Sequence, residues 1–221
     1  MPAPDINEMT LDEIRPLLAR ELPADAAFDG WGKAAVASTA ARLKLNPDIA
    51  GLVFPGGATD MIDAWFASVD VAMLERLPPD TLAALKIRER ITALVEARLT
   101  ILAPHREALR RAQAILASPR NAARAAKLGW RAADVMWRAA GDTATDYNHY
   151  SKRAILGSVY AATLLIFVGD ESEGWAETSA FLARRIDGIM RFEKAKAQWT
   201  KGPSIGFSPA RFLGRLRYPA R

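Results

Sequence analysis

Gly141-Asp142-Thr143-Ala144-Thr145-Asp146-Tyr147-Asn148-His149-Tyr150-Ser151-Lys152-Arg153, followed by the charge-free run Ala154 to Gly169, is the stretch on which the reading of this chain turns. It crowds polar, aromatic and basic side chains between two strongly apolar segments, and such a stretch usually faces something other than water. Gly141 stands where a helix C-cap prefers glycine. The sixteen residues from Ala154 to Gly169 would span roughly 24 Å as a helix, short of the roughly 30 Å of a bilayer core. Ser158, Tyr160 and Thr163 also interrupt them. The reading is a buried central helix of a bundle, in preference to a membrane span.

Outward from that stretch, the composition favours helix. The 221 residues hold 14 Gly and 13 Pro, placed mostly at boundaries, and show almost no alternating Val/Thr/Tyr runs, so no convincing strand emerges. A chain of this size can bury one sizeable core. Cysteine is absent, which removes disulfides, thiol nucleophiles and thiolate metal sites and fits a reducing compartment. Met1 to Asp5 lacks the features of a secretion signal or a transit peptide, so the expected address is cytoplasmic.

Thr10 and Glu13 form a capping-box start for a first helix carrying Leu11, Ile14, Leu17, Leu18 and Leu22, with Pro16 an uncertain break and a turn expected from Asp25 to Gly30. A second helix is expected over Trp31–Leu45, a short third after Asn46-Pro47, and a fourth over Ala58–Leu77. Thr81 to Ser118 continues with helical spacing, kinked or divided at Pro104, and Ala122 to Ala140 makes another helix. Arg153–Gly169 and Ala176 to about Trp199 then form a hairpin, with Phe181, Ile186, Ile189 and Met190 offering apolar surface for a homodimer. The expected division is residues 1–77, a helix-turn-helix-like region; 78–200, a helical body; and 201–221, a linker and tail. In the tail, Arg211, Phe212, Leu213, Arg215, Leu216 and Arg217 read either as a disordered end or as a short basic amphipathic helix suited to a membrane surface.

Three short helices, a longer fourth and a helical body resemble the TetR regulator architecture, so the fold class expected is an all-α, TetR-like bundle. DNA binding needs Lys and Arg where the recognition helix meets phosphate and base edges. From Leu45 through Glu75 there is no Lys or Arg, whereas Asp48, Asp60, Asp63, Asp70 and Glu75 supply five negative charges. The net charge of +5 comes from bases placed elsewhere, and nucleic acid is not an expected partner. A ligand-responsive transcription regulator remains the alternative. For catalysis, Asp146 and His149 stand at a spacing that can share a metal, but the second carboxylate-histidine pair of a di-iron bundle is missing around His105. Gly56-Gly57 lacks a dinucleotide-loop spacing. No cofactor, metal or catalytic residue is assigned, and Asp142 is expected to cap a helix or to pair with Lys152 or Arg153.

The Gly141–Arg153 run resembles the signature of the Coq-nine family of ubiquinone-biosynthesis accessory proteins. That signature is Gly-Asp-x-Ser/Thr-x-Asp-aromatic-Asn-Trp-Tyr-Thr/Ser-Lys/Arg-Arg, and His149 stands here where the family carries Trp. Trp31, Phe54-Pro55-Gly56-Gly57, Lys86-Ile87-Arg88, Trp137 to Asp142, Tyr160 and Thr178 to Ile186 fall in the family's order. The resemblance implies a non-enzymatic, TetR-like homodimer that has lost DNA binding, holds a polyprenyl quinone intermediate, and assists a membrane-associated hydroxylase at the inner membrane. Lipid-lining candidates are Ile91, Val95, Trp130, Val159 and Leu164, each of which also reads as plain core. The partner surface carried over comprises Met136, Trp137, Asp146, Tyr147, Asn148, His149, Tyr150, Lys152 and Arg153, since aromatics mixed with hydrogen-bonding groups make good interface anchors.

Overall fold

The capping box at Thr10 forms as its spacing demands: the Glu13 carboxylate accepts from the Thr10 N–H at 2.8 Å and the Thr10 hydroxyl accepts from the Glu13 N–H at 3.4 Å. It opens helix α1, Leu11–Asp29. Pro16 does not break α1, and the turn expected at Asp25 is helical. Ile14, Leu18, Leu22 and Ala26, one turn apart, are all fully buried, and burial of such side chains at about 1.5–3 kcal/mol for each large one outweighs the local penalty of proline.

The computed structural model describes residues 6–143 and 147–201, with side chains except at 147–148, 190 and 192–201. After α1 come α2, Lys33–Arg42; α3, Pro47–Leu52; α4, Ala58–Arg76; α5, Pro79–Ala83; α6, Ile87–Leu102; and α7, Arg106–Leu116. Then follow α8, Ala122–Ala139; α9, Tyr147–Gly169; and α10, Ala176–Lys201. No strand occurs among the described residues. Asn46 caps α3 by accepting the Asp48 N–H at 2.9 Å, with Pro47 at the position where its missing N–H costs nothing. The run expected from Thr81 to Ser118 is divided at Pro104, where a 3-10 turn over Ala103–His105 separates α6 from α7.

Contacts define a body, Met1–Ile186, and a second unit, Asp187–Arg221. Within the body, α1 packs on α2, α4 and α7, and α4 packs on α6, α7 and α8, so packing runs straight across the boundary expected at residue 77. Trp31, Trp65 and Phe66 stack in succession, with ring centroids 5.1 and 5.2 Å apart. The Trp31 indole N–H donates to the Ala108 carbonyl at 2.9 Å, tying the front of the chain to α7.

Helix α9 begins at Tyr147, six residues before the start expected at Arg153, and therefore contains the second half of the polar signature. At 23 residues it is long enough to cross a bilayer, and by length and composition His149–Gly169 passes that test, so shortness does not exclude a span. Packing carries the distinction instead. Leu156, Tyr160, Leu164, Phe167 and Val168 are buried, and α9 lies against α6, α7 and α8. Its last carbonyls are received by Arg106, whose Nη2 donates to Phe167 O at 2.7 Å and Val168 O at 3.1 Å, a cation at the negative end of the helix. In α10, Ile186 is already fully buried in the single chain, so it contributes core and not the surplus apolar surface expected of it.

Candidate functional site

Gly141 ends α8 with φ +90°. The Asp142 N–H bonds to Trp137 O at 3.0 Å and the Gly141 N–H to Arg138 O at 2.9 Å, the paired closure of a Schellman motif, which needs a residue free to adopt positive φ. This turn delivers Asp142 to the start of α9. There its carboxylate accepts from Lys152 Nζ at 2.8 Å and from Arg153 Nη1 at 3.1 Å. Arg153, 1% exposed, also donates Nε–H to Asp134 at 2.6 Å and Nη1–H to His149 O at 3.1 Å. Burial raises the carboxyls of Asp142 and Asp134, but the hydrogen bonds from Lys152, Arg153 and Arg138 outweigh it and hold both below the usual range. The pairing expected of Asp142 thus forms with both cations. The Trp137 indole donates to Lys152 O at 3.1 Å, and the Lys152 ammonium lies 5.2 Å from the ring centre.

The expected partner surface is therefore split by the structure. Met136 and Trp137 face the core at 0% and 4% exposure, because the α8 stripe that continues Leu128, Ala132 and Ala133 carries them inward. Arg153 is likewise interior, fixed between two carboxylates, so it cannot serve as a surface anchor without breaking them. What remains outside is an aromatic group: Tyr150 is 61% exposed and Trp130 38%, their ring centroids are 6.0 Å apart, and His149 lies 5.2 Å from Tyr150. Trp130, expected in the lipid lining, belongs to this outer group. Asp146, the side chains of Tyr147 and Asn148, and the tail residues Arg211, Phe212, Leu213, Arg215, Leu216 and Arg217 lie outside the described residues.

At the other end of the α8–α9 pair is a cavity of about 230 Å³ walled by α4, α6, α7, α8 and α9. Leu116, Leu128, Ala132 and Leu164 make its apolar wall, and Ala161 and the 66%-exposed Leu165 mark its rim. Of the expected lining residues, Leu164 is present. Ile91 and Val95 are fully buried core, and Val159 packs against the core without reaching the cavity.

Five polar residues that were not expected in a lining stand at the cavity: Asp70, Arg98, Gln113, Arg131 and Tyr160. Arg98, 1% exposed, pairs with Asp70 and donates Nε–H to Tyr160 Oη at 2.9 Å. Burial works against its charge, but Tyr160 and Asp70 prevail and keep it above the ordinary arginine value. A signal for Arg98 existed, since it occupies the apolar stripe of α6, four residues after Leu94 and four before Leu102. A second, larger hollow of about 460 Å³ between α1 and α4 mixes Arg20, Glu21 and Glu75 with Trp65 and Val69, a lining too charged for a purely apolar ligand.

The COQ9 family model matches residues 122–193, which contain the turn, α9 and much of the cavity. Ubiquinone biosynthesis protein COQ9-A, mitochondrial, of Xenopus laevis is 31% identical over 168 residues, covering 73% of this chain and 53% of that protein. Ubiquinone biosynthesis protein COQ9, mitochondrial, of Homo sapiens is 38% identical over 96 residues, covering 43% and 30%. The chain spans about half the length, or less, of these curated relatives. Among solved structures, a TetR transcriptional regulator from Nitrosomonas europaea superposes with a TM-score of 0.63 at 25% identity, covering 80% of this chain and 97% of that one. The fold is therefore TetR-like and all-α.

Proposed function

The chain belongs to the COQ9 family of ubiquinone-biosynthesis proteins, and from that premise we propose that it is a non-enzymatic accessory protein that holds a polyprenyl quinone intermediate and presents it to a membrane-associated hydroxylase. The observation that carries this reading is the cavity of about 230 Å³ between α4 and α6–α9, apolar over most of its wall and open at Ala161 and Leu165. An isoprenoid has little solubility in water, and transfer of its surface into such a wall is favourable at about 25 cal/mol per Å². Mass spectrometry of lipids that co-purify with the full chain tests it. Quinone-pathway lipids are the expected finding; only polar metabolites, or nothing, overturns it.

The hydroxylase contact is assigned to the exposed Tyr150 and Trp130 and the half-buried His149, with Lys152 and Arg153 holding the helix beneath them. Tyr150→Ala is expected to weaken hydroxylase capture in a pull-down, and undiminished capture removes this surface from consideration. We place the chain with its mitochondrially named relatives, peripherally at the inner membrane as expected, in a mitochondrial setting and not the cytoplasmic one expected from its opening residues. The basic tail is the proposed membrane contact, and a homodimer the proposed assembly, with a monomeric mass in light scattering as the contrary result.

The alternative of a transcription regulator draws support from the likeness in fold to a TetR regulator. Against it stands the segment Leu45–Glu75, which lacks any Lys or Arg, on the helices that would have to meet phosphate. Duplex binding at low salt in a mobility-shift assay favours the regulator.

A further inference from the structure

The larger hollow, about 460 Å³ between α1 and α4, has no part in the lipid reading. Buried Trp65 and Val69 on α4 and half-buried Ile101 on α6 form its floor, and exposed Leu17 on α1 and Val71 on α4 stand at its rim. Its volume is roughly three times the roughly 150 Å³ that admits one benzene, so it has space for an apolar group together with a charged head.

The polar groups of the hollow divide into committed and uncommitted. Glu21 accepts from Arg42 Nη1 at 2.6 Å, and the Ser68 hydroxyl donates to Trp65 O at 2.7 Å. Arg20 on α1 and Glu75 on α4 form no hydrogen bond or ion pair among the described residues, although their helices pack together. The half-buried His105 imidazole likewise has no hydrogen-bond partner there. Burial lowers its pKa against a weaker opposite pull from Glu21, so at neutral pH it adds a donor and an acceptor but no charge.

An uncommitted cation and an uncommitted anion thus share one apolar floor. Both are exposed and hydrated until a ligand covers that floor. A purely apolar body would then strip water from both charges and answer neither, and a singly charged one would answer only one. We propose that the α1–α4 hollow is a second ligand site, which takes a small zwitterion with an apolar body, its anion on Arg20, its cation on Glu75 and its body against Val69 and Ile101. Arginine presents paired donors to a carboxylate or a phosphate, and a carboxylate accepts from an ammonium. Free apolar amino acids and zwitterionic lipid heads share this chemistry. The site is separate from the cavity between α4 and α6–α9, and neither assignment depends on the other.

The test is calorimetric titration of the full chain with two sets of probes. The first shares one body: phenylalanine, its N-acetyl derivative with the anion alone, its amide with the cation alone, and the N-acetyl amide with neither. The second, below micellar concentrations, is dodecylphosphocholine, dodecyl phosphate and dodecyltrimethylammonium. In one set the zwitterion is expected to bind roughly tenfold more tightly than its singly charged analogues, the scale of one hydrogen bond to a charged group, and that set identifies the source. Arg20→Gln is expected to erase the zwitterion's advantage over the cation-only probe and to keep its advantage over the anion-only probe. Glu75→Gln is expected to do the reverse, a crossed pattern that a general loss of structure does not produce. Ala24→Trp, in the lining on α1, is expected to weaken binding of every probe. Singly charged probes that match the zwitterion in both sets, no binding in either set, variants that lower all probes alike, or an Ala24→Trp protein that binds as the wild type does each overturn the site.

Discussion

The two ends of the α8–α9 pair hold similar chemistry in different states of completion. At the Gly141 end, Asp134 and Asp142 are saturated by Lys152, Arg153 and Arg138, and the backbone turn closes with both of its expected bonds. At the cavity end, Asp70, Arg98, Arg131 and Tyr160 also meet, but donors are left over. A finished polar network fixes a structure, and one that stops short has room for a guest. The polar signature most legible in the sequence therefore does its work largely by building, and the less conspicuous cluster beside the cavity belongs to the proposed binding site.

The largest effect that would break this comparison is loss of Arg153. Arg153→Ala removes the buried guanidinium shared by Asp134 and Asp142 and leaves each a single cation, Arg138 and Lys152, and removal of one partner from a buried pair costs about 3–5 kcal/mol. Urea denaturation should show that loss, and a change under about 1 kcal/mol would mean that the Gly141 end is not the finished network described. Next in size is Gly157→Ala. A Cβ there would stand 3.1 Å from the Gly129 carbonyl oxygen and 3.4 Å from its carbon, backbone atoms with little freedom to retreat, so thermal melting should register an overpacking loss of about 1–3 kcal/mol.

Acid sharpens the same contrast. Asp134 and Asp142 lie below their ordinary values when folded. Their contribution to stability is therefore full above the unfolded carboxyl value, about 3.9, and disappears as pH falls through it toward the folded values. Melting temperature should hold from neutral pH to about 5 and drop below about 4, and Asp142→Asn should flatten part of that drop. An unchanged acid limb in Asp142→Asn argues that other carboxylates govern it. Smallest is Tyr150→Ala, whose exposed ring should alter stability by no more than about 0.5 kcal/mol in the same melts; a larger loss would move Tyr150 from the binding surface into the framework.

Local features were well legible in the sequence. The Thr10–Glu13 box, the Asn46-Pro47 start and the Gly141 stop each depend on neighbours within a few residues, and each forms where its residues stand. Long-range outcomes were less so. Helix α9 starts six residues ahead of Arg153, and although the pairing of Asp142 with Lys152 and Arg153 was legible, Asp134, nineteen residues before Arg153, was a partner that no periodicity displays. Met136 and Trp137 were expected on the partner surface and lie in the core, since which face of α8 turns inward is set by α4 and α9. The cavity depends on how five helices cross. Even so, Arg98 among leucines on α6 and Asp70 between Phe66 and Met73 on α4 were charges on apolar stripes, and such misplaced charges pointed to the site more directly than the large apolar residues did.

Gly157 carries one more implication. With nothing but hydrogen between the two main chains at that crossing, α8 and α9 meet there like beams pinned at a single joint, with no compressible material in the gap. Rocking about that joint moves the two extremities in opposite senses. A push on the Tyr150 extremity would therefore be felt through that joint at Ala161, on the rim of the cavity.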